Sequence, residues 1–307
     1  MTEVISQTEK LVGVEVGGMM MKAVCLDAGG NLVEHFQSPI IKEKEIAPQL
    51  IDFIKELFIG FGDFEKIGIT VPGLIDRDTK RVAFSTYFPE HEKIDLLGEL
   101  EKVTKLKIFI ENDANAAAYG EYRLGAGRGN RDMFYVTLGI GIGGALIFDG
   151  NIWRGASGFA GEFGHISINS DGMKLEDVAS AANIIRRTRS RFHQDHTSSL
   201  RSIGEDEIGL LDVVREARLG DSFAQMMLER TGSYVGMAIA SVINLLNVEK
   251  IVIGGVIMQA EHLVLDAIVR RARELSFPPS FKTTEISGGE LGENATAAGV
   301  ALLSSRL

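Results

Sequence analysis

The sequence predicts an α/β protein of two similar lobes with a cleft between them, and three observations predict it. A unit of strand, glycine turn and strand near the start of the chain recurs in the same order around residue 140. Each copy is followed by alternating helical and strand patterns, which favour mixed sheets covered by helices. The length of 307 residues, 45% of them hydrophobic and 24% charged, supplies core for two domains or one large α/β domain.

The first unit reads "LVGVEVGGMMMKAVCLDAGGNLVEHFQSPI". Apolar β-formers run to Val16, Gly17-Gly18 turns the chain, and a second apolar segment ends at the Gly29-Gly30 turn before a third strand. Helix "APQLIDFIKELFIGF", strand "KIGITVPG" and strand "KIFIEND" follow, the last running straight into helix "ANAAAYGEYRL". The second unit, "MFYVTLGIGIGGALIFDGNIW", repeats strand, glycine-rich turn and strand, and adds an Asp-Gly turn. A long helical stretch over about 205–247 leads to the strand "EKIVIGGVI" and the helix "EHLVLDAIVRRAREL". No low-complexity linker divides the lobes. The boundary is expected in the glycine-rich, charged run "YGEYRLGAGRGNRD", giving lobes of 1–120 and 121–290.

Composition narrows the function classes. A net charge of -10 argues against a nucleic-acid-binding surface, which needs clustered Lys and Arg. The single cysteine, Cys25, excludes a disulfide framework and a cysteine-based structural zinc site. The start "MTEVISQTEK" is polar and mixed in charge, unlike a signal peptide or a membrane span, and no apolar run reaches the roughly 18 residues a spanning helix needs. A soluble cytoplasmic protein without membrane or nucleic-acid partners is expected.

Several stretches carry candidate chemistry. Glycine turns expose backbone N–H groups that can bind phosphate oxygens. A tight hairpin accounts for Gly17-Gly18, but glycine at four of six positions in the run containing Gly139, Gly141, Gly143 and Gly144 exceeds what a hairpin needs. Neither turn matches a P-loop. Gly254-Gly255, between "KIVI" and an apolar segment, suits either a strand-to-helix turn or close approach of a flat ligand. In "FIENDANAAAYGE" one Asp or Asn would suffice as an N-cap, yet four of five consecutive positions are polar. A carboxylate at that strand end, Asp113, is placed to accept a proton from a hydroxyl. "GASGFAGEFGH" lacks the second histidine of a zinc-protease motif, and its glycines oppose a helix. Glu162, His165 and, eleven residues past that histidine, Glu176 suit a polyol instead, because each hydroxyl wants a donor and an acceptor. Trp153 could stack on a sugar face, although a sole tryptophan is more often core. His193 and His196 have metal-like spacing but no third ligand nearby.

Together these pieces resemble the ROK family of repressors, open reading frames and sugar kinases, its bacterial glucokinase-like members above all. The likeness covers essentially the whole chain. "VGVEVGGMMMKAV" resembles the family's first phosphate loop (D-x-G-G-T-K), "VPGLID" its sugar-contacting segment with Gly73, and "ENDANAAAYGE" its catalytic motif. "TLGIGIGGALIFDG" resembles the second phosphate loop (L-G-T-G-x-G-G), "GASGFAGEFGH" the sugar loop, and "IVIGGV" the nucleotide-side Gly-Gly. The resemblance implies an actin/hexokinase-like (ribonuclease H-like) ATPase fold, with ATP-Mg2+ and a sugar meeting in the interlobe cleft. It implies Asp113 as general base, and Gly73, Asn112, Glu162, His165 and Glu176 around the sugar. Glu15, Gly17, Gly18, Gly139, Gly141, Gly143, Gly144, Gly254 and Gly255 would serve the nucleotide. It also implies that a last helix, about 291–307, returns to the first lobe. Repressor members carry a DNA-binding extension, for which the first phosphate unit, beginning by Leu11, leaves no room. Homodimers are common in the family, though the residues themselves establish none.

Three departures stand out. Only "ISINSDGMKL" separates His165 from Glu176, where the family usually has a cysteine-rich zinc loop, so no structural zinc is expected. The threonines expected in the two phosphate loops are Met19 and Ile140, each a lost hydroxyl worth about 1.5–3 kcal/mol against a charged oxygen. The carboxylate expected to hold magnesium or orient water is Glu15, one methylene longer than Asp. An intact sugar side and an eroded phosphate side leave two readings. One is a sugar kinase for a hexose or N-acetylhexosamine. The other is a sugar-binding protein of the same fold with little kinase activity.

Overall fold

The structure is a computed structural model and describes residues 10–76, 79, 81–85 and 96–307. Residues 86–95, within the stretch "AFSTYFPEHEKIDLLGEL" that should help line a sugar site, lie outside the described residues, as do residues 1–9. Two compact units emerge. One is Met1–Gly129 with Gly150–Ala160 and Leu291–Leu307; the other is Asn130–Asp149 with Gly161–Glu290.

The first unit opens with an antiparallel meander of β1 (Leu11–Val16), β2 (Met20–Leu26) and β3 (Leu32–Pro39). Helix α1 (Ile46–Phe61) leads to β4 (Lys66–Val71), which pairs parallel to β1. A two-stranded ribbon of β5 (Leu74–Ile75) and β6 (Val82–Phe84) precedes α2 (Leu96–Thr104). Strand β7 (Lys107–Asn112) then pairs parallel to β4 and runs directly into α3 (Asp113–Leu124). The sheet order is β3-β2-β1-β4-β7. Helix α1 forms because Ile46, Leu50, Phe53, Ile54, Leu57 and Phe61 recur on one face. That face joins Val12, Val14, Ile67 and Ile69 in a single core.

The second unit begins with the hairpin of β8 (Met133–Leu138) and β9 (Ile142–Phe148); past the Asp149-Gly150 turn the chain rejoins the first unit with a short strand, β10 (Asn151–Trp153). Helices α4 (Glu176–Ala179), α5 (Ala181–Arg191), α6 (Leu210–Arg218) and α7 (Ser222–Leu246) follow. Then come β11 (Lys250–Gly254), α8 (His262–Leu275), α9 (Pro278–Thr283) and β12 (Glu285–Gly288). Neighbouring strands run β9-β8-β11-β12, with β8, β11 and β12 parallel, so both sheets add parallel strands to a hairpin. The helical stretch expected over 205–247 is broken. Gly220 takes φ +98°, and Asp221 caps α7 by accepting from Ala224 N at 2.8 Å.

The chain ends in α10 (Ala295–Ser304), which packs in the first unit. Gly13 on β1 and Gly68 on β4 allow this: a Cβ at either would strike a carbonyl oxygen of Ala297 or Val300. The alanine-rich α3 and α10 likewise meet backbone to backbone, with Gly299 against the Ala116 carbonyl. Against the expected division at residue 120, the first unit keeps 121–129 and 150–160. Helix α3 continues to Leu124, and Glu121 holds the turn beyond it by accepting from Ala126 N at 2.9 Å. No helix among the described residues is long and apolar enough to cross a membrane.

Candidate functional site

In the first unit, four sequence-predicted residues gather at the ends of β1, β4 and β7. Asn112 caps α3, its Oδ1 accepting from Asn115 N at 3.1 Å. Its Nδ2 donates to the Gly73 carbonyl at 2.9 Å and to Asp113 Oδ1 at 2.9 Å. Asp113 Oδ1 also accepts from Ala114 N at 2.9 Å, so the carboxylate is held in one orientation at a helix N-terminus. Asn112 thus spends both N–H groups on positioning Gly73 and Asp113. A sugar hydroxyl could reach only its carbonyl oxygen.

Two residues that the sequence did not single out support this arrangement. Glu111 is 4% exposed, and its Oε1 accepts from Asn112 N at 3.0 Å and from Asn115 Nδ2 at 3.1 Å. Arg154 closes on Glu111 Oε2 through Nη2 and, at 3.2 Å, Nε. The signal was present, since a charged residue ending an apolar strand implies a partner, but nothing local named Arg154.

The β1–β2 turn is a tight hairpin: Gly17 N donates to Met20 O at 2.9 Å, and Met19 at its tip is 62% exposed. Glu15, on β1, lies opposite Lys22 on β2, and Lys22 Nζ meets Glu293 at 2.7 Å. Burial raises the Glu15 carboxyl to about 7, with Asp113 and Glu293 adding to the rise and Lys22 opposing it.

In the second unit, Gly139, Gly141, Gly143 and Gly144 form the β8–β9 turn and the start of β9, with Gly139 N donating to Gly141 O at 2.9 Å. Ile140 at its tip is 55% exposed. The loop carrying Glu162 and His165 packs directly on this turn. A Cβ at Gly144 would meet Phe163 at 2.9 Å and the Gly161 carbonyl at 3.0 Å. Glu176, opening α4, reaches the same turn, where its Oε2 accepts from Ile142 N at 2.8 Å. Desolvation and Glu176 raise the Glu162 carboxyl, while His165 opposes them, so these three side chains share one electrostatic neighbourhood.

The short segment after His165 closes on itself as a bridged turn. Ser167 pairs with Lys174, Ile168 N donates to Met173 O at 2.8 Å, and Leu175 N to Ile166 O at 3.0 Å. Asn169 Oδ1 accepts from Asp171 N and Met173 N at 3.1 and 3.0 Å. Lys174 Nζ then sits 3.2 Å from His165 Nδ1; with Nδ1 accepting from the ammonium, the ring carries its N–H on Nε2.

Gly254 lies beside Thr137, whose other neighbour across the sheet is Gly143, so the Gly-Gly pair adjoins the glycine turn. Packing accounts for both glycines. A Cβ at Gly254 would strike the Tyr135 hydroxyl, and Gly255, at φ +92°, abuts the Leu138 backbone. Trp153 is 51% exposed and not core. His193 pairs with Glu205 at 3.0 Å and His196 lies 3.4 Å from Arg201, a cation. Among the described residues no three metal-ligating side chains gather.

A family model described as the ROK family matches residues 11–306. A glucokinase from Halalkalibacterium halodurans is 34% identical over 94% of this chain and 92% of its own length. The xylose repressor of Bacillus subtilis is 29% identical over 94% of this chain and 75% of its own. Among solved structures, a ROK family glucokinase from Streptomyces griseus in complex with glucose and AMPPNP superposes with a TM-score of 0.85. It shares 28% identity, over 97% of this chain and all of that one. The fold is that of these actin/hexokinase-like sugar kinases.

Proposed function

The chain belongs to the ROK family, and we propose that it catalyses ATP-dependent phosphorylation of a hexose or N-acetylhexosamine, in the manner of a glucokinase. The observation that carries this reading is the fixed carboxylate of Asp113, held by Asn112 Nδ2 and Ala114 N at the mouth of α3. A sugar-binding protein has no need of a preoriented base, whereas phosphoryl transfer depends on alignment.

In this mechanism Asp113 accepts the proton of the attacking sugar hydroxyl while Asn112 Nδ2 and Ala114 N hold Oδ1. Glu162, His165 and Glu176 bind other hydroxyls and hold the nucleophile in line; His165 donates from Nε2, the carboxylates accept. The turns at Gly17-Gly18 and Gly139–Gly144 offer main-chain N–H groups to the phosphates. Glu15 fits a magnesium ion, because a half-buried carboxyl crowded by Asp113 and Glu293 gains from a nearby dication. Magnesium, when bound, supplies charge neutralisation on the transferring phosphoryl, and one carboxylate with phosphate oxygens and water is a usual ligand set for it.

A second reading, sugar binding with little turnover, is favoured by the exposed apolar tips Met19 and Ile140, where a hydroxyl would serve a phosphate. A coupled phosphorylation assay over glucose, mannose and N-acetylhexosamines, with ATP or polyphosphate as donor, decides between them. Turnover is expected. Sugar binding by calorimetry with no turnover on any donor would sink the kinase reading.

A further inference from the structure

Glu176 is a sugar ligand in the proposed mechanism, yet its Oε2 accepts the Ile142 N–H at 2.8 Å, inside the glycine turn that would receive phosphate. Three further features tie the same two loops together. Gly141 faces this contact: a Cβ there would stand 2.8 Å from Glu176 Oε2 and push on the carboxylate. Gly164, beside His165, is pressed between Glu176 Oε2, 3.2 Å from its Cβ position, and the Ile142 carbonyl. At the far end of the turn, Ala181 N donates to Gly139 O at 2.8 Å, so the start of α5 grips it as well. Among the described residues, Oε1 of Glu176 accepts no hydrogen bond and remains to take a hydroxyl.

We propose that Glu176 is a positioning residue that couples the two ligands: the carboxylate that receives a sugar hydroxyl on one oxygen holds the phosphate turn on the other. The inference rests on the proposed kinase function. Without sugar, Glu176 is a short side chain at the head of a four-residue helix, and the turn it supports can relax with it. A hydroxyl on Oε1 restrains the carboxylate and therefore the Ile142 N–H, so the turn meets the nucleotide already ordered. The gain is reciprocal, because a coupling free energy has one value whichever ligand binds first. A charged acceptor makes the stronger contact, so the coupling needs the carboxylate and not merely a side chain of that length.

The test is a set of calorimetric titrations on the full chain. The sugars are glucose, mannose, N-acetylglucosamine and N-acetylmannosamine, of which the tightest binder is carried forward; the nucleotide is AMPPNP with Mg2+. In the wild type, saturating sugar should tighten AMPPNP by at least about fivefold, the low end of measured couplings, and AMPPNP should tighten the sugar by the same factor. Two variants approach the contact from opposite sides. Glu176→Gln keeps the length but removes the charge, and AMPPNP affinity measured without sugar should fall. Gly141→Ala pushes on the carboxylate from the phosphate turn, and sugar affinity measured without nucleotide should fall. In both, the coupling factor should approach one. The Gly141→Ala readout is one that a purely phosphate-binding role for this glycine would leave unmoved. A wild-type factor of one with both ligands bound, or a full factor in either variant, overturns the coupling while the kinase reading stands. Failure of the wild type to bind any of the sugars or AMPPNP overturns both.

Discussion

The turn between β1 and β2 and the turn between β8 and β9 occupy the same place in two sheets of like topology, yet they are held differently. Among the described residues the first is fixed by main chain alone: Gly17 N to Met20 O at 2.9 Å, and Ile40 N to Met19 O at 2.8 Å. The second has comparable main-chain bonds and in addition a carboxylate from 34 residues away, on Ile142 N, with Phe163 packed against Gly144. Hairpin chemistry makes both turns; only a side chain brought in from a distant element makes one of them responsive to what that side chain binds.

The proposed mechanism gives proton transfer to the first unit and sugar recognition to the second, and the largest expected effect tests that division. Asp113→Ala should lower kcat by about 10²–10⁴-fold while calorimetric sugar affinity stays near wild type. Wild-type turnover in that variant would remove the first unit from the chemical step. Next in size, restoring a hydroxyl at each tip asks whether the buttress matters. Ile140→Thr should lower the nucleotide KM by about tenfold, as one hydrogen bond to a charged oxygen warrants. Met19→Thr, on the unbuttressed turn, should gain less, because part of the bond energy goes into ordering the loop. Equal gains would mean that the buttress contributes nothing.

The smallest effect concerns Glu15. Its folded pKa, raised to about 7 from an ordinary 4.5, means that the folded chain holds this proton more tightly than the unfolded chain does. Its contribution to stability is therefore full below about pH 4.5 and is lost as pH rises through about 7. Melting temperatures of wild type and Glu15→Gln across that window should differ in slope, with the wild type losing more on going up. Parallel curves would show that Glu15 titrates normally. Magnesium competes with the same proton, so its affinity should rise over the same window.

Much of this was legible in the chain. The two glycine-turned hairpins, the strand that runs into α3 through Asn112-Asp113, and the helical face of α1 are local patterns of period two or 3.6. The pairs that position the chemistry were not. Arg154 and Glu111 lie 43 residues apart, and neither residue's neighbours indicate the other. Lys174 was simply part of a segment notable for lacking cysteine, yet it meets the His165 ring. The break between α6 and α7 is hidden in the sequence because the apolar pattern continues on both sides of Gly220 and only the backbone conformation interrupts it.

The sequence by itself determined the α/β class, the duplicated hairpins, the family resemblance and the candidate side chains, because each depends on residue type and short spacing. Only the tertiary structure decided what those side chains touch. It showed Asn112 to be a clamp on Asp113, with only its carbonyl oxygen left for a sugar, and it showed Gly254 and Gly255 packed against Tyr135 and Leu138. It also placed Glu176 against the phosphate turn. The physical reason is that hydrogen bonds and steric contacts act over a few ångströms in space, whatever the distance along the chain.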